Sequence, residues 1–234
     1  MSTAHLRLLT IVTFGRSGST VLQSALNSHP NVLIRGENYN ALSGLRDYWT
    51  SLVDSAARHQ SGKPHHPWFG TAKLSPAQAR DDLTNHVVST LLRPKASTSW
   101  TGFKEVRYEG AYFPSTAALC SYLLFLQEML PGLSFLINTR NPQAAARSGW
   151  WQQHPNAQGM LQRTNEIFHA TSAALTKLLG EHRVQLIDYD SWRAQPEVLV
   201  QALSTLGFPA DRGIIDHALA EVLIHGQHSA DSED

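Results

Sequence analysis

Five short polar stretches, each following an apolar run, hold residue types able to do chemistry: GRSGST (15–20), RGE (35–37), KEVR (104–107), TRNP (139–142) and DYD (188–190). Arginines and a lysine supply fixed cations, hydroxyls supply neutral donors, and Glu37 supplies a carboxylate that can take a proton. The first stretch is the most informative. Its glycines let the backbone wrap an anion, and Ser19 and Thr20 open a helix whose free N–H groups attract negative charge. Arg16 adds a cation. The Walker pattern G-x-x-x-x-G-K-[ST] is broken twice: with Gly18 as the last glycine, Thr13 stands at the first glycine and Ser19 at the lysine. No apolar strand is expected to end in the acidic residue that holds magnesium beside a triphosphate. The loop is therefore expected to hold a phosphate-like group with no metal; as a lone string it would equally suit an ordinary turn.

These residues need a scaffold that brings them together. Leu6–Phe14 is a continuous apolar run, the pattern of a strand buried on both faces. Ser19–Ser28 reads as a helix stopped at Pro30, and Val32–Ile34 as a short strand. Ala41–Arg58 is amphipathic, with Leu42, Leu45, Trp49, Leu52, Val53 and Ala56 at helical spacing. SGKPHHPWFG (61–70) reads as a loop and Pro76–Leu92 as one helix. Strands are expected at Trp100–Phe103, Leu133–Asn138 and Val184–Ile187. Helices are expected at Thr116–Leu130, from Pro142, from Ala157, and over Glu197–Leu206 and Arg212–Ile224. Strands alternating with helices imply an α/β fold: a P-loop-type parallel β-sheet flanked by helices on both faces. In such sheets ligands bind outside the carboxyl ends of the strands, which would line Arg16, Glu37, Lys104 and Arg140 along one rim. The whole chain, 1–234, reads as a single domain. Residues 40–98 form a helical and loop excursion from it, with an acceptor-side lid as the expected role.

Composition narrows the classes. The 234 residues are 42% hydrophobic and 16% charged, with a formal net charge of zero. A basic excess suited to nucleic acid or a membrane surface is lacking. Cys120 is the single cysteine, so no internal disulfide can form and a reducing, cytoplasmic setting is expected. It lies in AALCSYLLFLQEML, which reads as a helix packed on the core and too short to span a bilayer. The twelve histidines offer no convincing zinc-ligand spacing.

Three segments carry a family resemblance. GRSGSTVLQSALNSHPNVLIRGE resembles the 5′-phosphosulfate loop, helix and following strand of sulfotransferases that use 3′-phosphoadenosine 5′-phosphosulfate (PAPS), most like the tyrosylprotein and carbohydrate branches and their bacterial relatives. TRNPQAAARS places Arg140 and Ser148 eight residues apart, similar to the family's 3′-phosphate pattern R-[DN]-P…S. LIDYDSWRAQPEVLVQALSTLGFP (186–209) is similar to its Tyr-acidic segment and closing Leu-Gly turn. Gly15 stands where many relatives have proline. The basic glycine-rich segment near the C-terminus is missing, and HGQHS (225–229) is the candidate to replace it.

The resemblance implies sulfuryl transfer from PAPS to an acceptor hydroxyl or amine, leaving adenosine 3′,5′-bisphosphate (PAP). It implies a binding role for Arg16, Ser17, Gly18, Ser19 and Thr20 at the 5′ end of the donor, and for Arg140 and Ser148 at the 3′-phosphate. Glu37 would be the general base, the alternative being a cap for a helix starting near Tyr39. Arg16 would neutralise charge on the bridging and leaving oxygens. Lys104 would sit by the sulfuryl group, or else pair with Glu105 or a distant acid. Tyr189 is open to two readings, a neighbour of the adenine or 3′-phosphate and a buried strand-end tyrosine. Trp68, Phe69, Trp150 and Trp151 could form an acceptor platform, although core packing would account for Trp49 and at least one of the tandem pair. The expected acceptor is a small molecule, glycan, lipid or peptide, with no nucleic acid and no stable membrane insertion. Two other classes compete: a nucleotide-dependent kinase, and a nucleotide-binding module without catalysis.

Overall fold

The computed structural model describes residues 6–58 and 62–228. Among these, five parallel strands form one sheet in the order β2-β3-β1-β4-β5. They are β1 (Arg7–Val12), β2 (Val32–Arg35), β3 (Trp100–Glu105), β4 (Leu133–Thr139) and β5 (Val184–Asp188). The central strand β1 pairs with both β3 and β4, with Leu9 opposite Gly102 on one side and Ser134 on the other. Its side chains alternate between two cores. Leu8 and Val12 join the cluster that includes Phe103, Phe135, Leu161 and Phe168, while Leu9 and Ile11 join Leu22, Leu136, Trp192 and Phe208. A continuous apolar sequence is what a strand covered on both faces requires, as the sequence expectation had it.

The first cluster is covered by α4 (Thr116–Met129), α5 (Pro142–Ala146) and α6 (Ala157–Leu179); the second by α1 (Ser19–Asn27), α7 (Tyr189–Ala194), α8 (Pro196–Thr205) and α9 (Arg212–His228). Residues 40–98 supply α2 (Leu42–Arg58) and α3 (Pro76–His86). Ser75 caps α3 by accepting from the N–H of Gln78, and Pro76 fills the first turn. Of the apolar stripe of α2 only Leu42 is buried; Leu45 and Trp49 are half-buried against the core rather than enclosed. Arg35, at the end of β2, donates to the carbonyls of Leu92 and Arg93 at 2.8 and 3.0 Å, tying the end of this excursion to the sheet.

Chain order sets the place of the crevice. From β1 the chain moves outward to β2, returns to β3, then crosses β1 to reach β4 and β5. The direction reverses at β1, so its carboxyl end opens between diverging connections. One local expectation changes, and two local features are added. The helix read over Pro76–Leu92 is α-helical only to His86 and π-helical from Val87 to Leu92. The polar DYD stretch leads straight into α7, because Asp188 accepts from the N–H of Ser191 and starts a helix there. Gly149–Gln153 forms a 3₁₀ turn. No helix among the described residues is long and apolar enough to cross a membrane.

Candidate active site

The turn after β1 is bent by two left-handed residues, Arg16 at φ 67° and Gly18 at φ 79°. Three successive carbonyls of this turn are each taken by a side chain from β4 or the segment beyond it. The Trp151 indole donates to Gly15 O at 2.9 Å, Arg140 Nη1 to Arg16 O at 2.7 Å, and Asn138 Nδ2 to Ser17 O at 3.0 Å. Asn138 is itself held by Trp192, whose indole donates to its Oδ1 at 2.9 Å. Ser17 Oγ lies 2.6 Å from Thr13 Oγ1, which donates to the Asn138 carbonyl at 2.8 Å. With its carbonyls turned back in this way, the loop leaves the N–H groups of Ser17, Gly18, Ser19 and Thr20 without an acceptor among the described residues. They stand at the N-terminus of the nine-residue α1, where the helix dipole adds positive potential.

The turn after β1 and the Arg140–Ser148 segment meet. Arg16 Nε donates to Ser148 Oγ at 3.0 Å, and Arg140, besides holding Arg16 O, stacks 4.8 Å above the Tyr189 ring. Arg140 Nε is buried and has no partner among the described residues. Tyr189 is half-buried and lies flat against Gly18: a Cβ on that glycine would come within 2.1 Å of the ring. Gly15 is crowded in the same way, a Cβ there falling 2.2 Å from Trp150 Cζ2. Trp150, 58% exposed, therefore lies across the outside of the turn. Trp151 is buried and works from within, so the tandem pair divides between surface and core. Free amides and two guanidinium groups are a donor set suited to an anionic group, and Arg16, Ser17, Gly18, Ser19, Thr20, Arg140 and Ser148 lie around it.

At the other end of the rim, Lys104 Nζ lies 2.8 Å from Glu37 Oε1, and Arg107 Nη1 lies 3.4 Å from Glu37 Oε2. Lys104 is buried, whereas the Glu37 side chain is 40% exposed and so reachable from solvent. Lys104 pairs with a distant acid, Glu37, and not with the adjacent Glu105. Glu37 does not cap the following turn; Asn38 does, its Oδ1 accepting from the N–H of Ala41. Glu105 has a separate task. Its Oε2 accepts from the N–H groups of Asn38 and Asn40 at 3.1 and 2.8 Å, and its Oε1 from Val106, Arg107 and Arg107 Nη1. Burial pushes this carboxyl up, and the four backbone N–H groups more than offset that, leaving it below the ordinary glutamate range. Nearby Glu109 has the opposite balance: burial pushes its carboxyl up and Arg107 only partly opposes this.

Sequence reasoning named Glu105 only as a partner for Lys104, gave Arg107 and Asn138 no role, and offered Trp151 the acceptor platform or the core. The strands β3 and β5 do end in acids, Glu105 and Asp188, contrary to expectation. Both are committed, Glu105 to backbone N–H groups and Asp188 to capping α7 and accepting from Thr139 Oγ1. Among the described residues no three His, Cys, Asp or Glu side chains gather as a metal site would require. The HGQHS segment (225–229) lies outside the residues whose side chains are described.

A sulfotransferase family model matches residues 9–212. The sulfotransferase domain of the Synechococcus PCC 7002 olefin synthase shares the fold, with a TM-score of 0.55 at 17% identity over 90% of this chain and 78% of that one. The sulfotransferase domain from the curacin biosynthetic pathway does so with a TM-score of 0.50 at 13% identity, over 89% and 76%. No curated protein gives a significant sequence match. The family match spans most of the chain and includes the turn after β1, the acid after β2 and the Arg140–Ser148 segment, so this chain belongs to the sulfotransferase family.

Proposed function

We propose that the chain moves a sulfuryl group from PAPS to an acceptor hydroxyl or amine, with Glu37 as general base. The observation that carries this reading is the alignment on one sheet edge of an amide-lined anion loop, two guanidinium groups at one end and a lysine–carboxylate pair at the other. When bound, PAPS supplies an activated sulfuryl group whose transfer is loose and in line, so positioning and charge stabilisation dominate. Arg140 and Ser148 bind the 3′-phosphate and Tyr189 packs beside the nucleoside. The amides of Ser17–Thr20 and Arg16 hold the 5′ end. Lys104 divides its N–H groups between Glu37 and the transferred group, and this keeps the Glu37 carboxylate aimed at the acceptor proton.

The sulfuryl group carries less charge than a γ-phosphoryl, so arginine, lysine and backbone N–H groups suffice and turnover is expected to persist in excess chelator. Within a single domain, residues 40–98, tied to the sheet by Arg35, act as a lid over the acceptor. A reducing, cytoplasmic setting fits the lone cysteine. Thermal shift with PAP, ATP and ATP–Mg tests the donor: PAP should give the larger stabilisation. Glu37→Gln should keep the PAP shift and lose at least a hundredfold in kcat. An unchanged kcat removes Glu37 from the chemistry, and a preference for ATP–Mg favours a kinase.

A further inference from the structure

Glu37 is held on two sides. Lys104 Nζ lies 2.8 Å from its Oε1, and Arg107 Nη1 lies 3.4 Å from its Oε2. One contact fixes a distance and leaves the carboxylate plane free to swing about it; a second contact, on the other oxygen, fixes the plane. The side chain needs this, because it is 40% exposed and packing alone does not hold it. Arg107 can serve as the second point because it is itself anchored. Its Nη1 donates to Glu105 Oε1 at 2.9 Å, and its backbone N–H donates to the same oxygen at 3.1 Å. Its backbone bridges to Phe14 beside the anion loop, and its guanidinium lies 4.1 Å from the centre of the Tyr39 ring. Glu105 is buried, and its other oxygen accepts from the N–H groups of Asn38 and Asn40, just after Glu37. Tyr39 and Asn40 both sit in the left-handed region, at φ 58° and 55°, a strained corner that needs such a restraint. One buried carboxylate therefore grips both the backbone leaving Glu37 and the arginine that reaches its side chain.

We propose that Arg107 is a positioning residue for the transfer step: anchored by Glu105, it sets the plane of the Glu37 carboxylate and leaves Oε2 as the oxygen that takes the acceptor proton. This rests on the sulfuryl-transfer reading above. The distances assign the task. Lys104 holds Oε1 closely, whereas Arg107 meets Oε2 at the long end of the hydrogen-bond range, so Oε2 is the less engaged oxygen. Arg107 lies closer to Glu105 than to Glu37 and so arrives as half of a neutral pair. It gives direction while adding little net positive charge beside a group that must accept a proton. In the step, the acceptor O–H or N–H bond breaks and its proton passes to Oε2. The acceptor atom bonds to sulfur, and the bond from sulfur to the departing PAP oxygen breaks.

The test is a cycle of variants of the full chain, read as PAP release from PAPS with octanol, methyl glucoside, 2-naphthol and water as acceptor probes. The probe that wild type uses fastest serves for every variant. Arg107→Gln shortens and neutralises the side chain; it should lose about thirtyfold in kcat, with KM for PAPS within twofold and the PAP thermal shift unchanged. In a Glu37→Gln chain the same change should cost less than about threefold, because the group it aims is gone. A purely structural role, or a direct contact with the transferred group, would cost as much in both backgrounds. A loss above about threefold in the Glu37→Gln chain, or below about threefold in the wild-type background, overturns the positioning role. Should Arg107→Gln not fold, Arg107→Lys runs the same cycle against the same limits, since its ammonium keeps the charge beside Glu105 but stops one bond short of Nη1. Wild type without a PAP shift refutes the donor reading, and a Glu37→Gln chain with wild-type kcat refutes the base; either result takes the positioning role with it. Wild type that binds PAP yet releases none from PAPS with any probe overturns the transfer reading and the positioning role together.

Discussion

Replacing Glu105 by glutamine tests the electrostatic core of the site. The carboxylate is buried and accepts from five N–H donors: Asn38 and Asn40 on one oxygen, Val106, Arg107 and Arg107 Nη1 on the other. The amide of glutamine keeps one acceptor oxygen and places an NH₂ where the other stood. Oriented to lose least, it turns that NH₂ toward Asn38 and Asn40 and leaves two N–H groups facing a donor. Each buried, unsatisfied group costs about 1–3 kcal/mol, so a loss of about 3–5 kcal/mol is expected, in line with removing a buried charged partner. Urea unfolding at pH 7 reads this as a drop in midpoint at constant m. The loss should also depend on pH. Because the folded carboxyl lies below the ordinary value of about 4.3, the unfolded chain binds more protons between the two, and wild-type stability falls as pH drops through the folded value. The gap between wild type and Glu105→Gln should therefore close in acid. A loss under about 1 kcal/mol at pH 7, or a gap that does not depend on pH, would show that the five-donor geometry does not stabilise the corner.

Three further outcomes are expected. Asn138→Ala leaves the Ser17 carbonyl and the Trp192 indole without partners; it should cost about 2–4 kcal/mol and weaken PAP in a titration, and unchanged PAP affinity would contradict the carbonyl-holding role. Gly18→Ala forces a Cβ to 2.1 Å from Tyr189 at a positive φ, so it should lower Tm and abolish the PAP shift; adding Tyr189→Ala should recover part of the Tm, and no recovery would show that the ring is not the obstacle. Glu109→Gln should flatten the pH dependence of stability above the ordinary glutamate range. There the folded wild type holds a proton that the unfolded chain has lost, so its stability falls as pH rises; parallel curves for the two proteins would count against this.

The sheet was legible because its signal is composition at regular spacing: β1 and β4 are mostly apolar and are buried along nearly their whole length, as covering on both faces requires. The rim was legible because a parallel sheet places every strand end on one edge. What escaped were interactions that depend on which way a strand-end side chain turns. KEVR shows two adjacent opposite charges, yet Lys104 reaches back to Glu37 while Glu105 turns to the backbone of residues 38–40. Asn138 reads as one more residue of an apolar strand, and only the fold places its amide beneath the turn. Trp151 gave a partial signal, since one member of a tandem pair was expected inside, but not that its indole would reach Gly15. Asp188 looked like a polar strand end because capping a six-residue helix leaves little periodicity to detect.

The three grips on the Gly15–Ser17 carbonyls mean that the anion socket does not belong to its own segment of chain. Its shape is dictated by the neighbouring strand β4 and the segment after it, a stretch more than a hundred residues later. An arriving nucleotide meets donors already aimed and spends little binding energy on ordering them. The same wiring makes the socket sensitive to distant events: a shift of the chain after β4, even one caused by packing changes along α6, would be transmitted to donor affinity without any contact with the donor.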